Sequence, residues 1–76
     1  MIWIRSQNRD RLVYCSAVWV NGNKILGEDG ASNYENYFLL CECKSKEDAL
    51  KVLDCIQVYI QLGGKVFQMP EDEEVL

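Results

Sequence analysis

The sequence predicts an α+β fold: a small antiparallel sheet of four to five strands with one helix packed on one face, in the order ββββαβ. Three observations lead there. Short runs rich in β-branched and aromatic residues fill the chain from Ile2 to Cys43, and turn-forming polar stretches separate them. One amphipathic stretch with capping residues at both ends follows, from Ser45 to Gly64. The length of 76 residues leaves room for one small core, so a single domain over residues 1–70 is expected, with 71–76 as an acidic tail.

Each element has its own signal. Ile2-Trp3-Ile4 reads as a strand closed by the polar turn Ser6-Gln7-Asn8-Arg9-Asp10. Leu12 to Val20 is the longest apolar run and is expected to be the central strand. Asn21-Gly22 follows at once and signals a hairpin of type I′, whose two central residues need positive φ. A return strand is implied at about Lys24 to Gly27, then a polar loop from Glu28 to Asn33, then a strand from Tyr37 to Cys43.

The helix is expected from about Lys46 to Leu62. Ser45 suits the N-cap, with Asp48 three residues on, and Gly63-Gly64 stand where the backbone must leave the helix through a left-handed residue. At about 100° per residue, Ala49, Val52, Leu53, Ile56, Tyr59 and Ile60 share one face, with Leu50 at its edge. Lys65 to Met69 then reads as a short strand that folds back.

Two apolar surpluses remain after this assignment. Cys55, Val58 and Leu62 form a second, narrower stripe on the helix face that should be polar; either the returning Lys65–Met69 segment covers it, or it contacts a second chain together with Tyr59. In the Leu12–Val20 run, Leu12, Tyr14, Val18 and Val20 alternate with Val13, Cys15, Ala17 and Trp19, so a single strand there would be apolar on both faces. One helix covers one sheet face. Trp3 and Trp19 thereby join Cys55, Val58, Tyr59 and Leu62 as candidate interface residues, and a homodimer is the simplest partner for them.

The composition narrows the function. There is no His, and the sequence lacks the nucleophile, phosphate-loop and zinc-protease motifs that would carry catalysis, so no enzyme is expected and no catalytic residue or cofactor is assigned. Cys41-Glu42-Cys43 has one intervening residue where structural zinc pairs have two to four, so no metal site is assigned either. The chain starts Met1-Ile2-Trp3-Ile4-Arg5 without an apolar signal region, and the expected place is the cytoplasm, with Cys15, Cys41, Cys43 and Cys55 as reduced thiols. No run is long enough to span a membrane.

The formal charge of −4, from 8 basic and 12 acidic residues, argues against nucleic acid as a partner. That charge sits at one end. Glu71, Asp72, Glu73 and Glu74 follow Pro70, and the rest of the chain is balanced. A second reading therefore stays open, in which Arg5, Arg9 and Arg11 contact phosphate while sheet aromatics stack on bases, as in a single-stranded nucleic-acid-binding or regulatory module.

Met1-Ile2-Trp3-Ile4-Arg5-Ser6-Gln7, the helix Lys46-Glu47-Asp48-Ala49-Leu50-Lys51-Val52-Leu53-Asp54-Cys55-Ile56 and the ending Phe67-Gln68-Met69-Pro70 resemble a group of small uncharacterised proteins of Gram-positive bacteria and their prophages. Members of that group begin with W-I-R-S-Q and end on F-x-M-P. Leu39-Leu40-Cys41-Glu42-Cys43 departs from the L-G-x-Y-like stretch that leads into the helix there. The resemblance implies a bacterial or prophage origin and a cytoplasmic place, and it supplies no activity or functional residue.

Overall fold

The computed structural model describes residues 2–30 and 37–71. Among these residues six strands and one helix follow in the order β1 (Ile2–Arg5), β2 (Leu12–Cys15), β3 (Ala17–Asn21), β4 (Lys24–Glu28), β5 (Tyr37–Glu42), α1 (Lys46–Gln61) and β6 (Val66–Gln68). The Ala31-Ser32-Asn33 part of the predicted loop and residues 72–76 of the predicted tail lie outside the described residues.

The α+β class holds, but the expected single antiparallel sheet does not. The strands form two three-stranded sheets, β2-β1-β6 and β3-β4-β5. The second is an antiparallel meander, whereas in the first β6 runs parallel to β1, with Ile4 opposite Phe67. The order is βββββαβ because the Leu12–Val20 run is two strands rather than one.

The break falls at Ser16. Its N–H donates to the Glu28 carbonyl at 2.8 Å and its Oγ donates to the same oxygen at 3.3 Å. The residue takes no place in either strand, and the side-chain alternation shifts by one across it. Val13 and Cys15 are buried before the break, while Val18 and Val20 pack on the core after it. The run that looked apolar on both faces is thus two half-buried strands of opposite phase, because a period of two inverts when one residue leaves the ladder.

One core serves both sheets and the helix: Ile2 and Ile4 from β1, Val13 and Cys15 from β2, Ile25 from β4, Leu40 and Cys41 from β5, then Cys43, Ala49, Val52, Ile56 and Met69. At Gly27 the sheets approach closely. A Cβ there would lie 2.7 Å from Leu40 Cδ1 and 2.9 Å from Cys15 Sγ, so only hydrogen lets β2 and β5 side chains meet over β4. On β5 a bulge beside Ile25 and Leu26 turns both Leu40 and Cys41 inward.

Side chains of the first turn tie the sheets together on another side. Gln7 donates its backbone N–H to the Leu40 carbonyl at 2.8 Å, and its amide both donates to the Glu42 carbonyl and accepts from the Glu42 N–H. Buried Ser6 accepts the Arg11 N–H on Oγ and receives Gln68 Nε2 on its carbonyl. The hairpin between β3 and β4 turns at Gly22-Asn23, not at Asn21-Gly22. Gly22 has φ of +63° and Asn23 does not share a positive φ, which is the pattern of type II′ rather than the expected I′.

The helix follows its predicted bounds closely. Ser45 Oγ accepts the Asp48 N–H at 3.1 Å, and Glu47 and Asp48 lie in the first turn where negative charge is favoured. At the other end Gly63, with φ of +84°, donates to the Ile60 carbonyl and Gly64 to the Tyr59 carbonyl, the paired bonds of a Schellman motif. The chain then returns beside β1 and buries Met69.

Replacement Gly27→Ala is expected to lower stability by about 1–3 kcal/mol through overpacking at the contact between sheets. The check is urea unfolding, read as a lower midpoint at unchanged slope.

Candidate functional site

With Ile2 and Ile4 buried, alternation turns Trp3 and Arg5 outward. Across the outer face of β2-β1-β6, Tyr14, Trp3 and Val66 form one row and Leu12, Arg5 and Gln68 the next. Trp3 and Tyr14 are 41% and 42% exposed, and their rings lie 4.9 Å apart at 45°. An open cleft of about 690 Å³ beside β2 is lined by Trp3, Arg11, Leu12, Val13, Tyr14, Asp29 and Phe38.

The three arginines predicted as phosphate contacts each have a partner within the chain. Arg5 Nε donates to the Arg9 carbonyl at 3.1 Å, the Arg9 guanidinium pairs with Glu71 at 3.5 Å, and Arg11 lies 5.4 Å from the centre of the Phe38 ring. Arg9 holds φ of +69° in the turn that makes these contacts. Glu71, the first residue of the predicted tail, thus lies against the folded body.

The outer face of β3-β4-β5 is a second apolar surface. Trp19, Leu26 and Leu39 form a row across all three strands, and Tyr37 meets Trp19 edge to face at 5.9 Å. Leu26 is only 9% exposed, yet it stands outside the core cluster because its neighbours on this face shield it.

The helix supplies the third. Phe67 of β6 packs on Tyr59 at 5.4 Å, so the Lys65–Met69 segment does fold back as the sequence predicts, but it leaves Val58 51% and Leu62 81% exposed. Asp54, Cys55, Val58, Tyr59, Leu62 and Phe67 line a groove of about 340 Å³. Ile60, expected in the core, is instead 46% exposed, at the side of a crevice that it lines together with Ile2, Cys15 and Leu53.

The predicted interface residues therefore fall on three separate surfaces. Trp3 lies on one sheet, Trp19 on the other, and Cys55, Val58, Tyr59 and Leu62 on the helix. Tyr37 is one of the sheet aromatics that the sequence offers for stacking, whereas Leu39 carries no such signal: the alternation of the Tyr37–Cys43 strand would place it outward, but the bulge at Leu40 and Cys41 obscures that pattern.

A further crevice, of about 330 Å³, opens where the sheets part at Ser16 and is lined by Ile2, Cys15, Val18, Leu53, Ile56 and Ile60, with Gln57 and Gln61 at its polar side. Burial, with a smaller contribution from the charge of Asp29, pushes the Cys15 thiol up to about 11. A thiol held protonated at neutral pH is a poor nucleophile. Cys41 and Cys43 meet Sγ to Sγ at 3.8 Å, a contact rather than a covalent bond. Among the described residues no group of three or more His, Cys, Asp or Glu side chains is placed to hold a metal ion.

Comparison of the chain with protein-family models, with curated proteins and with solved structures finds no match. Among the described residues no helix is long and apolar enough to cross a membrane.

The raised Cys15 pKa fixes the sign of a pH effect. The unfolded chain releases this proton from its ordinary value of 9.0, while the folded protein keeps it to about 11. The stability contributed is whole below the first value and is lost as pH rises through the second. Urea midpoints of the parent and Cys15→Ala, measured at pH 8 and above pH 10, are expected to draw together at the higher pH.

Proposed function

We propose that the protein is a non-enzymatic interaction module that acts as a homodimer. The observation that supports this reading is the amount of apolar surface left uncovered: ten large hydrophobic side chains among the described residues are each at least 41% exposed. They are not scattered singly, since several share the sheet faces and the end of the helix. Grouped exposure of this kind marks an interaction surface, and a second copy covers it without another gene product.

The absence of His from the sequence and the protonated state of the Cys15 thiol favour binding over catalysis. The proposed place is the cytoplasm, where Cys15, Cys41 and Cys43 serve as small buried hydrophobes. A Gram-positive or prophage origin rests on the resemblance to the W-I-R-S-Q proteins. The two ends of that signature lie side by side here, because Ile4 pairs with Phe67 and Arg5 with Gln68. Ser6, Gln7 and Met69 have structural tasks. The shared motif is thus explained by folding, and the dimer surface is sought elsewhere.

A single-stranded nucleic-acid-binding role is the second reading, favoured by the exposed Trp3–Tyr14 pair beside Arg11 in one cleft. The internal partners of Arg5 and Arg9 and the acid Asp29 in the same cleft weigh against it.

Light scattering of the purified chain, with absorbance recorded at 260 and 280 nm, tests both readings. The homodimer reading expects twice the 8.8 kDa chain mass at tens of micromolar and an absorbance ratio of free protein. A monomer at every concentration overturns it. Co-purifying nucleic acid whose binding falls steeply with salt points to the second reading.

A further inference from the structure

We infer that the dimer forms by face-to-face packing of the outer surfaces of β3-β4-β5, with the strands of one copy antiparallel to those of the other. This rests on the homodimer reading and names its surface and its orientation. On that face Lys24, Leu26 and Glu28 of β4 point outward, since Ile25 is fully buried and Gly27 lies over Cys15 and Leu40. Leu26 is flanked by Trp19 on β3 and Leu39 on β5. The apolar row therefore runs across the middle of the sheet, with Lys24 and its β5 neighbour Glu42 on one side of it and Glu28 beside Tyr37 on the other.

Along β4 that arrangement of Lys24 and Glu28 is complementary to itself in one orientation, in which Glu42 faces the partner copy's Tyr37 side of the sheet. A two-fold axis lying between the faces and perpendicular to β4 sets Leu26 over its own copy. It places Lys24 of each chain opposite Glu28 of the other, since the two stand equally far from Leu26, about 7 Å along the strand. An axis parallel to β4 would instead put Lys24 opposite Lys24 and Glu28 opposite Glu28. Like charges across an interface disfavour that docking. An isologous interface needs such self-complementarity.

The other exposed surfaces lack it. In the two rows on the outer face of β2-β1-β6 the charged side chain is Arg5, with no acid to meet it. The helix groove has Asp54 as its one charged lining residue, and the last turn carries no base. The meander face is small, with five residues along the strand and three strands across. A patch well below the usual interface size forms a weak dimer, with Kd expected in the micromolar range.

Charge exchange tests the orientation without touching the core, because Lys24 is exposed and Glu28 half-buried at the rim. The variants Lys24→Glu and Glu28→Lys, measured by sedimentation at low salt, are each expected to raise the dimer Kd about tenfold, as both symmetric pairs become like-charged. The double variant K24E/E28K restores opposite charges across the axis and is expected to return Kd close to that of the parent. A mixture of the two single variants also pairs unlike charges at both contacts, so a mixed dimer of near-parental affinity is expected from chains that are poor dimers alone. This recovery shows that the single variants are folded. A monomeric parent overturns the homodimer reading and this inference with it. A dimeric parent whose Kd the single exchanges leave unchanged, or whose weakened variants do not recover on mixing, overturns this surface and leaves the homodimer standing.

Discussion

The structure depends on one interruption. At Ser16 the longest apolar run leaves the ladder of its first sheet and enters a second, held by two hydrogen bonds to the Glu28 carbonyl. Had the run stayed continuous, its nine residues would have formed a strand buried on both faces, and a chain with one helix has nothing to cover the second face. The one-residue shift turns Val13 and Cys15 to the same interior as Val18 and Val20. Two short sheets then close over a shared core, with α1 completing it.

Small size makes this arrangement tight where it is buried and generous where it is not. A domain of this length buries a smaller fraction of its surface than a larger one, so every inward position must pack well. Gly27 shows the limit, because the two sheets approach until no side chain fits between them. The outward positions of both sheets retain Trp3, Tyr14, Tyr37 and Leu39, more apolar area than solubility alone calls for. Among these faces the meander is distinguished by how its charges are placed rather than by how apolar it is. Lys24 and Glu28 flank the row symmetrically, and such symmetry suits a partner that is the same molecule.

Much of the fold is legible in local pattern. The helix, its Ser45 cap and its Gly63 exit follow from backbone hydrogen-bonding needs that adjacent residues satisfy. The return of Phe67 toward Tyr59 follows from the short connection after those glycines. The pairing of the first strand with the last is different in kind: β6 lies parallel to β1 across most of the chain length, and no neighbouring residue signals it. The candidate site is legible only in part. Trp19 is evident as a large aromatic in a strand, but its companions Leu26 and Leu39 emerge only when the register of β4 and β5 is known.

What the sequence by itself determined is the α+β class, the rough bounds of most strands, the capped helix, and the surplus of apolar side chains over what one helix can cover. These rest on interactions within a few residues, or on composition. Only the tertiary structure decided that there are two sheets rather than one, that the arginines are engaged internally, and which outward residues share a face. The sheets and their faces turn on register and on one residue, Ser16, that leaves the strand ladder, and a shift of one position in a period of two reverses every side chain without changing a single letter of the chain.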